Sequence, residues 1–324
     1  MLITLALLAV GLIILVFGAD WLVKGASSIA SKFGISPLVI GLTVVAFGTS
    51  MPELTVSVYA ALTGASEISV GNVLGSNIAN ILLILGISAA IVPLAVSSST
   101  VKWEIPLALL AMIFLFVFGA DRILDGGALD VITRTDGIAL LGFFIIFMFY
   151  IFALVRQEGD TSKTEGEAMD EASLPTLKVI AYVVVGLAAL IFGGKLLVDN
   201  AVIIASLFGL SETVIGLTIV AVGTSLPELA TSVIAALRKE ADIAIGNIVG
   251  SNIFNVFWIL GVSAVIAPLP SPNGFLIDAS VGIAATLALL LVLFVGKKHH
   301  IDRWQGILFI LAYVIYVIYL VMRG

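Results

Sequence analysis

Ten apolar runs divided by short polar stretches set the pattern of the chain: residues 2–22, 38–62, 70–93, 104–120, 137–155, 178–198, 213–237, 245–268, 276–296 and 305–322. Crossing a hydrocarbon layer roughly 30 Å thick takes about 20 helical residues, and each run comes close to that length. The pattern predicts an all-α polytopic membrane protein with ten transmembrane helices. Met1-Leu2-Ile3-Thr4 carries no basic residue, and the run behind it exceeds the roughly 7 to 15 apolar residues of a secretory leader. The first run is therefore expected to be a span.

The pattern also repeats. Residues 33–54, FGISPLVIGLTVVAFGTSMPEL, recur at 208–229 as FGLSETVIGLTIVAVGTSLPEL, an offset of 175 without a gap, and 16 of the 22 positions are identical by count. At the same offset, GNVLGSNIANILLILG (71–86) matches GNIVGSNIFNVFWILG (246–261) at 10 of 16 positions. Many identities fall on Gly, Thr, Ser, Pro, Glu and Asn, which shared apolar composition does not explain. The chain reads as two five-helix units, 1–156 with its motifs at 41–86 and 177–324 with its motifs at 216–261, joined by an acidic linker at 157–176. That linker lacks the alternating ligands and central Gly of an EF-hand loop and reads as a solvated cytoplasmic connector. Because five is odd, the second unit must enter the membrane from the opposite side. The result is two inverted five-helix repeats, the plan of secondary transporters, with matching motifs meeting as broken helices near the midplane.

Composition removes the soluble alternative. Of 324 residues 61% are hydrophobic and 11% charged, against roughly 45–50% and about 25% in soluble domains. With no cysteine there is no disulfide, thiolate metal site or redox motif. The net charge of -6 offers no footprint for nucleic acid. By count, eleven Lys and Arg fall on the side of the loops after spans 1, 3, 5, 7 and 9, and four on the other. Short cytoplasmic loops retain basic residues, so a multi-pass cell-membrane (inner or plasma membrane) protein with both termini outside is expected. Trp21, Trp103 and Trp304 fall at predicted span ends, as interfacial anchors do.

The candidate chemistry sits in the repeats. Pro52 has no N–H for the carbonyl of Gly48 and crowds that turn, so the helix should break there, and again at Pro227. Such a break is tolerated in a membrane where it faces protein or a water-filled cavity. Thr49 and Ser50 precede Glu53 by four and three residues, and Thr224 and Ser225 precede Glu228 in the same way, so hydroxyls and carboxylate share a face. An ionisable side chain at a helix centre costs about 2.5–3.5 kcal/mol. Glu53 and Glu228 are the only acids deep inside the predicted spans, and they mark the functional site. Ser76 with Asn80, and Ser251 with Asn255, add oxygens at i and i+4. Gly71 with Gly75 and Gly246 with Gly250 suit close helix packing, and Asn77 or Asn252 could bond across helices. An all-oxygen set without His or Cys suits Ca²⁺ and Na⁺ over zinc or copper. His299 and His300 belong to a basic loop. No His lies in a span to activate a nucleophile, so an intramembrane enzyme is not expected, nor is a cofactor. Asp20 with Lys24, and Lys195 with Asp199, read as local pairs at span boundaries.

GTSMPE with GNVLGSNIAN, and GTSLPE with GNIVGSNIFN, resemble the two alpha-repeats of the sodium/calcium exchanger family, within the calcium/cation antiporters. The resemblance covers nearly the whole chain. It implies antiport of Ca²⁺ against Na⁺ at clustered midplane sites, with the ions as substrates, membrane lipid as surroundings and no obligatory protein partner. It implies as ligands the Ala46 carbonyl, Thr49, Ser50, Glu53, Ser76 and Asn80, and the Ala221 carbonyl, Thr224, Ser225, Glu228, Ser251 and Asn255. Spans 1 and 6 are expected to slide as a pair. Asn255 stands where several members carry Asp, which disfavours K⁺ coupling. The Gly-Asn-Ala-Thr/Val-Glu stretch typical of the proton-coupled branch does not follow Gly71-Asn72 or Gly246-Asn247, which favours Na⁺. A Ca²⁺/H⁺ antiporter using the same two glutamates is the alternative, and a cation channel a further one from another class.

Overall fold

A computed structural model of the chain describes residues 2–124, 126–127, 129–161, 174–207 and 221–323. The helices are α1 (Leu2–Phe33), α2 (Pro37–Thr49), α3 (Met51–Thr63), α4 (Glu67–Ile91), α5 (Ser98–Phe118), α6 (Arg134–Thr161), α7 (Thr176–Leu207), α8 (Leu226–Leu237), α9 (Ala241–Ile266), α10 (Phe275–Val292) and α11 (Arg303–Arg323). Among the described residues eight helices are long and apolar enough to cross a membrane, and the pair α2 and α3, bent by 47°, makes a ninth. The predicted seventh span, 213–237, is described only from residue 221, and the linker expectation lies mostly outside the described residues.

Two short ribbons tie the ends together. Leu94–Ala95 (β1) pairs antiparallel with His300–Ile301, and Val131–Ile132 pairs antiparallel with Leu269–Pro270; in chain order these partners are β4, β2 and β3. Outward faces carry exposed apolar side chains, among them Ile145, Phe149 and Phe152 of α6, as a lipid-facing surface requires.

The sequence misplaces two helix ends. The predicted spans 2–22 and 178–198 cover only part of their helices, since α1 and α7 each run for 32 residues, about 48 Å at 1.5 Å per residue. The charged residues near each predicted end pair along the helix: Asp20 and Lys24 lie 2.8 Å apart, and Lys195 and Asp199 3.0 Å. Trp21 sits within α1 rather than at its end.

α1 and α7 run antiparallel along a glycine seam. A Cβ on Gly11 would lie 2.8 Å from Leu197 N, on Gly18 2.8 Å from Leu190 N, on Gly186 2.7 Å from Leu22 N, and on Gly193 2.7 Å from Leu15 N. Backbone meets backbone, so no side chain can yield. Leu15, Ala19, Leu22 and Leu190 bury there in an apolar cluster separate from the larger core of α4, α5, α9 and α10. Gly186→Val should therefore lower stability by about 1–3 kcal/mol, as overpacking does, read as a fall in the melting temperature of purified protein. An unchanged melting temperature would show that the seam can open.

Candidate functional site

Two broken helices build the site. Ser50 at the α2/α3 break has φ -82°, ψ 8°, and Ser225, just before α8, has φ -88°, ψ 9°, the matching interruption that Pro52 and Pro227 impose. Each break turns a glutamate inward on the first turn of the following helix, and Glu53 and Glu228 are each 1% exposed.

The two halves meet across the breaks. Ser50 Oγ donates to Glu228 Oε1 at 3.0 Å, and Ser225 Oγ donates to Glu53 Oε1 at 3.2 Å. Ser225 Oγ also lies 3.2 Å from Ser76 Oγ, which reaches Glu53 Oε1 at 3.4 Å. Thr49 Oγ1 donates to Asn247 Oδ1 at 3.0 Å. Each carboxylate is thus fixed by hydroxyls of the opposite repeat and leaves one oxygen, Oε2, buried without a partner.

The long helices behind the breaks change winding at the site. α4 is π-helical over Asn80–Leu85 and α9 over Phe254–Leu260, while α2 is π-helical over Gly41–Val45. π-Turns are rare and gather at functional sites. Asn80 and Asn255 are each 1% exposed. Asn80 Nδ2 donates to Asn252 Oδ1 and Asn255 Nδ2 to Asn77 Oδ1, both at 2.9 Å, and both Oδ1 atoms are buried and accept nothing. Ser251 Oγ is likewise buried without a partner.

Among the candidate ligands, Glu53, Ser76 and Ser225 are directly joined and Ser50 is joined to Glu228, while Asn80 Oδ1, Ser251 Oγ and Asn255 Oδ1 are buried without partners. The Ala46 carbonyl accepts the Ser50 N–H at 3.1 Å and the Thr49 hydroxyl at 3.4 Å. Ala221 opens the short helix before Ser225. Among the described residues no group of three or more His, Cys, Asp or Glu could hold a metal. Two carboxylates among neutral hydroxyl and amide oxygens form a hard-cation set instead.

Sequence reasoning missed several supports. Asn72 Nδ2 donates to the Glu53 carbonyl at 3.2 Å and to Ser57 Oγ at 3.0 Å, and Asn247 Nδ2 donates to the Glu228 carbonyl at 3.3 Å and to Ser232 Oγ at 2.9 Å. The repeated Gly-Asn pairs were the available signal. The packing role of Gly246 and Gly250 holds: a Cβ there would lie 2.8 Å from the Leu38 carbonyl and 2.9 Å from Leu42 backbone. Residues 212–220, which match 37–45 in the second repeat, lie outside the described residues. Glu53 and Glu228 are not the only buried acids. Glu104, at the edge of a predicted span, is 0% exposed and bonded by the Tyr150 hydroxyl, because α6 covers the start of α5.

A cavity of about 520 Å³ reaches this cluster between α3 and α7, bordered by Pro52, Val56, Gly194, Lys195, Asp199 and Thr224. Its repeat-related counterpart is closed. Thr231, equivalent to Val56, is 0% exposed, and Asp20, equivalent to Lys195, bonds Arg238 just past α8, with Nε at 2.8 Å.

Comparison with known proteins places this geometry. The model of the family described as sodium/calcium exchanger protein matches residues 3–153 and 178–322. The chain is 43% identical to inner membrane protein YrbG of Escherichia coli over 83% of its own length and 81% of that protein. It is 35% identical to sodium/calcium exchanger MaX1 of Methanosarcina acetivorans over 97% of each. A solved structure of the sodium-calcium exchanger NCX_Mj superposes with a TM-score of 0.80 at 37% identity, covering 98% of each chain.

Proposed function

The chain belongs to the sodium/calcium exchanger family and is a transmembrane cation antiporter, and from that premise we propose that it exchanges Ca²⁺ for Na⁺ across the cell membrane by alternating access. One observation carries the reading: Glu53 Oε2, Glu228 Oε2, Asn80 Oδ1, Asn255 Oδ1 and Ser251 Oγ are buried together without partners. Unpaired acceptors in a protein interior are costly, and a cation is what two carboxylate, two amide and one hydroxyl oxygen would satisfy. Two negative charges match one Ca²⁺ or two Na⁺. A proton needs only a carboxylate, whereas amide and hydroxyl oxygens ligate metal cations, which favours Na⁺ as the counter-ion. The proposed ligands are the side chains of Thr49, Ser50, Glu53, Ser76, Asn80, Thr224, Ser225, Glu228, Ser251 and Asn255, with the Ala46 and Ala221 carbonyls.

The ribbons support ten crossings. Paired strands share one side of a membrane, so an even number of crossings separates β1 from β4. The helices α5, α6, α7, α9 and α10 make five; a crossing between Leu207 and Ala241 that includes α8 makes the sixth. The pairing of β2 with β3 asks for the same addition. Antiparallel packing of the repeat-equivalent helices α1 and α7 supports inversion of the second unit. With both termini outside and the membrane that of the cell, the cavity beside Lys195 faces outward, and the contact of Asp20 with Arg238 closes the inner side.

The test is ⁴⁵Ca²⁺ uptake into proteoliposomes. Uptake should follow an imposed Na⁺ gradient with the pH gradient collapsed. Uptake driven by a pH gradient alone would replace Na⁺ with H⁺, and uptake without any counter-ion would make the protein a channel.

A further inference from the structure

Four asparagines, Asn80, Asn252, Asn77 and Asn255, form a linked amide belt, and the bonds of that belt decide which atom each carboxamide presents. Asn77 Nδ2 donates to the backbone carbonyl of Asn252 at 3.2 Å, and Asn252 Nδ2 donates to the backbone carbonyl of Asn77 at 3.3 Å. A backbone carbonyl is only an acceptor, so these two bonds fix both amides and leave their Oδ1 atoms as acceptors. Asn77 Oδ1 then takes Nδ2 of Asn255, and Asn252 Oδ1 takes Nδ2 of Asn80, each at 2.9 Å. What remains of Asn80 and Asn255 is a free Oδ1, buried and unpartnered. All four side chains are at most 2% exposed.

From this we infer that Asn77 and Asn252 are positioning residues that hold the Asn255 and Asn80 carboxamides with their oxygens toward the transported cations, and that they make position 255 selective for a neutral ligand. The inference rests on the reading of Asn80 and Asn255 as ligands. If the Asn255 carboxamide turned over, its NH₂ would point at the cation while its oxygen met Asn77 Oδ1. A carboxylate at 255 would have no proton to give Asn77 Oδ1, so acceptor would face acceptor.

The bonds are specific enough for a double-mutant cycle. Truncating Asn77 removes the acceptor for Asn255 but leaves the Asn77 backbone carbonyl that anchors Asn252, so it acts through Asn255 and not through Asn80. Loss of such an outer hydrogen bond costs metal sites about tenfold or more in affinity. Asn77→Ala should raise the KM for Ca²⁺ about tenfold in Na⁺-driven uptake with kcat changed less. It should add nothing further to Asn255→Ala, while its effect and that of Asn80→Ala should multiply. In alkaline buffer Asn255→Asp should raise the KM, and adding Asn77→Ala to it should lower the KM again, the opposite of its effect in the wild-type background.

A role confined to helix packing would lower the melting temperature and kcat, multiply with every partner and never reverse sign; any of those patterns in KM overturns the inference. If Asn255→Ala alone leaves the KM unchanged, both the ligand assignment and the inference fail. If Asn255→Ala matters but the cycle multiplies, only the inference fails. Should Asn77→Ala not insert, the mirror cycle of Asn252→Ala with Asn80→Ala decides in the same way, its control being Asn255→Ala.

Discussion

Glu53→Gln and Glu228→Gln should each reduce Ca²⁺ transport by at least about a hundredfold, a loss of roughly 2.7 kcal/mol, in protein that still inserts and folds. Glutamine keeps the shape of glutamate and an oxygen able to accept the hydroxyls of Ser225 or Ser50, so the cross-repeat bonds that hold the broken helices survive. What changes is the free Oε2, which becomes an NH₂ aimed into the cluster. The site then carries one negative charge rather than two, and a bound Ca²⁺ would be left with uncompensated charge in a low-dielectric interior. Na⁺ loses a ligand as well, so reversing the gradients does not rescue exchange. The measurement is ⁴⁵Ca²⁺ flux in proteoliposomes beside the melting curve of each purified variant. A folded variant keeping more than about a tenth of wild-type exchange would show that the carboxylates do not share one site.

The parts of this arrangement that depend on short-range chemistry were legible in the sequence. Pro52 and Pro227 announce the breaks because a missing N–H acts within four residues. Glu53 and Glu228 announce the site because acids inside apolar runs need a reason to be there. What depended on partners distant in sequence was not legible. The hold of Arg238 on Asp20, 218 residues away, leaves no mark in the residues around Asp20. The burial of Glu104 was not legible because its cover, Tyr150, comes from another helix. The orientation of the Asn80 and Asn255 amides depends on the side chains of Asn252 and Asn77 in the opposite repeat, and the π-turns that place them leave no clear mark beyond the glycines, Gly86 and Gly261, that follow. The Gly-Asn pairs at 71–72 and 246–247 could have been read further, since repetition marked Asn72 and Asn247 as well as the glycines.

Arg238→Glu should shift the access of the site toward the inner face, by at least about tenfold in labelling rate. Asp20 on α1 holds Lys24 at 2.8 Å and the Arg238 guanidinium through its other oxygen, so one end of the α1 and α7 pair is tied to α8. The repeat-equivalent end is free: among the described residues Lys195 and Asp199 bond only each other, their side chains 73% and 54% exposed. If α1 and α7 slide as one body on their glycine seam, the contact of Asp20 with Arg238 must break when the inner side opens. A glutamate at 238 removes that bond and places like charges together, so the closed inner state loses its tie while the outer cavity gains none. Val56 borders that cavity and Thr231, its equivalent, is buried, which supplies matched reporters in a chain without cysteine. Thr231→Cys should react slowly with an impermeant maleimide from the inner face in the wild-type background and at least about tenfold faster with Arg238→Glu, while Val56→Cys becomes slower from outside. Restoring the pair with its charges exchanged, as Asp20→Lys with Arg238→Glu, should return both rates toward wild type. Surface ion pairs contribute little, so unchanged labelling in Arg238→Glu would mean that this contact decorates the inner gate and that buried packing of α1 against α8 closes it.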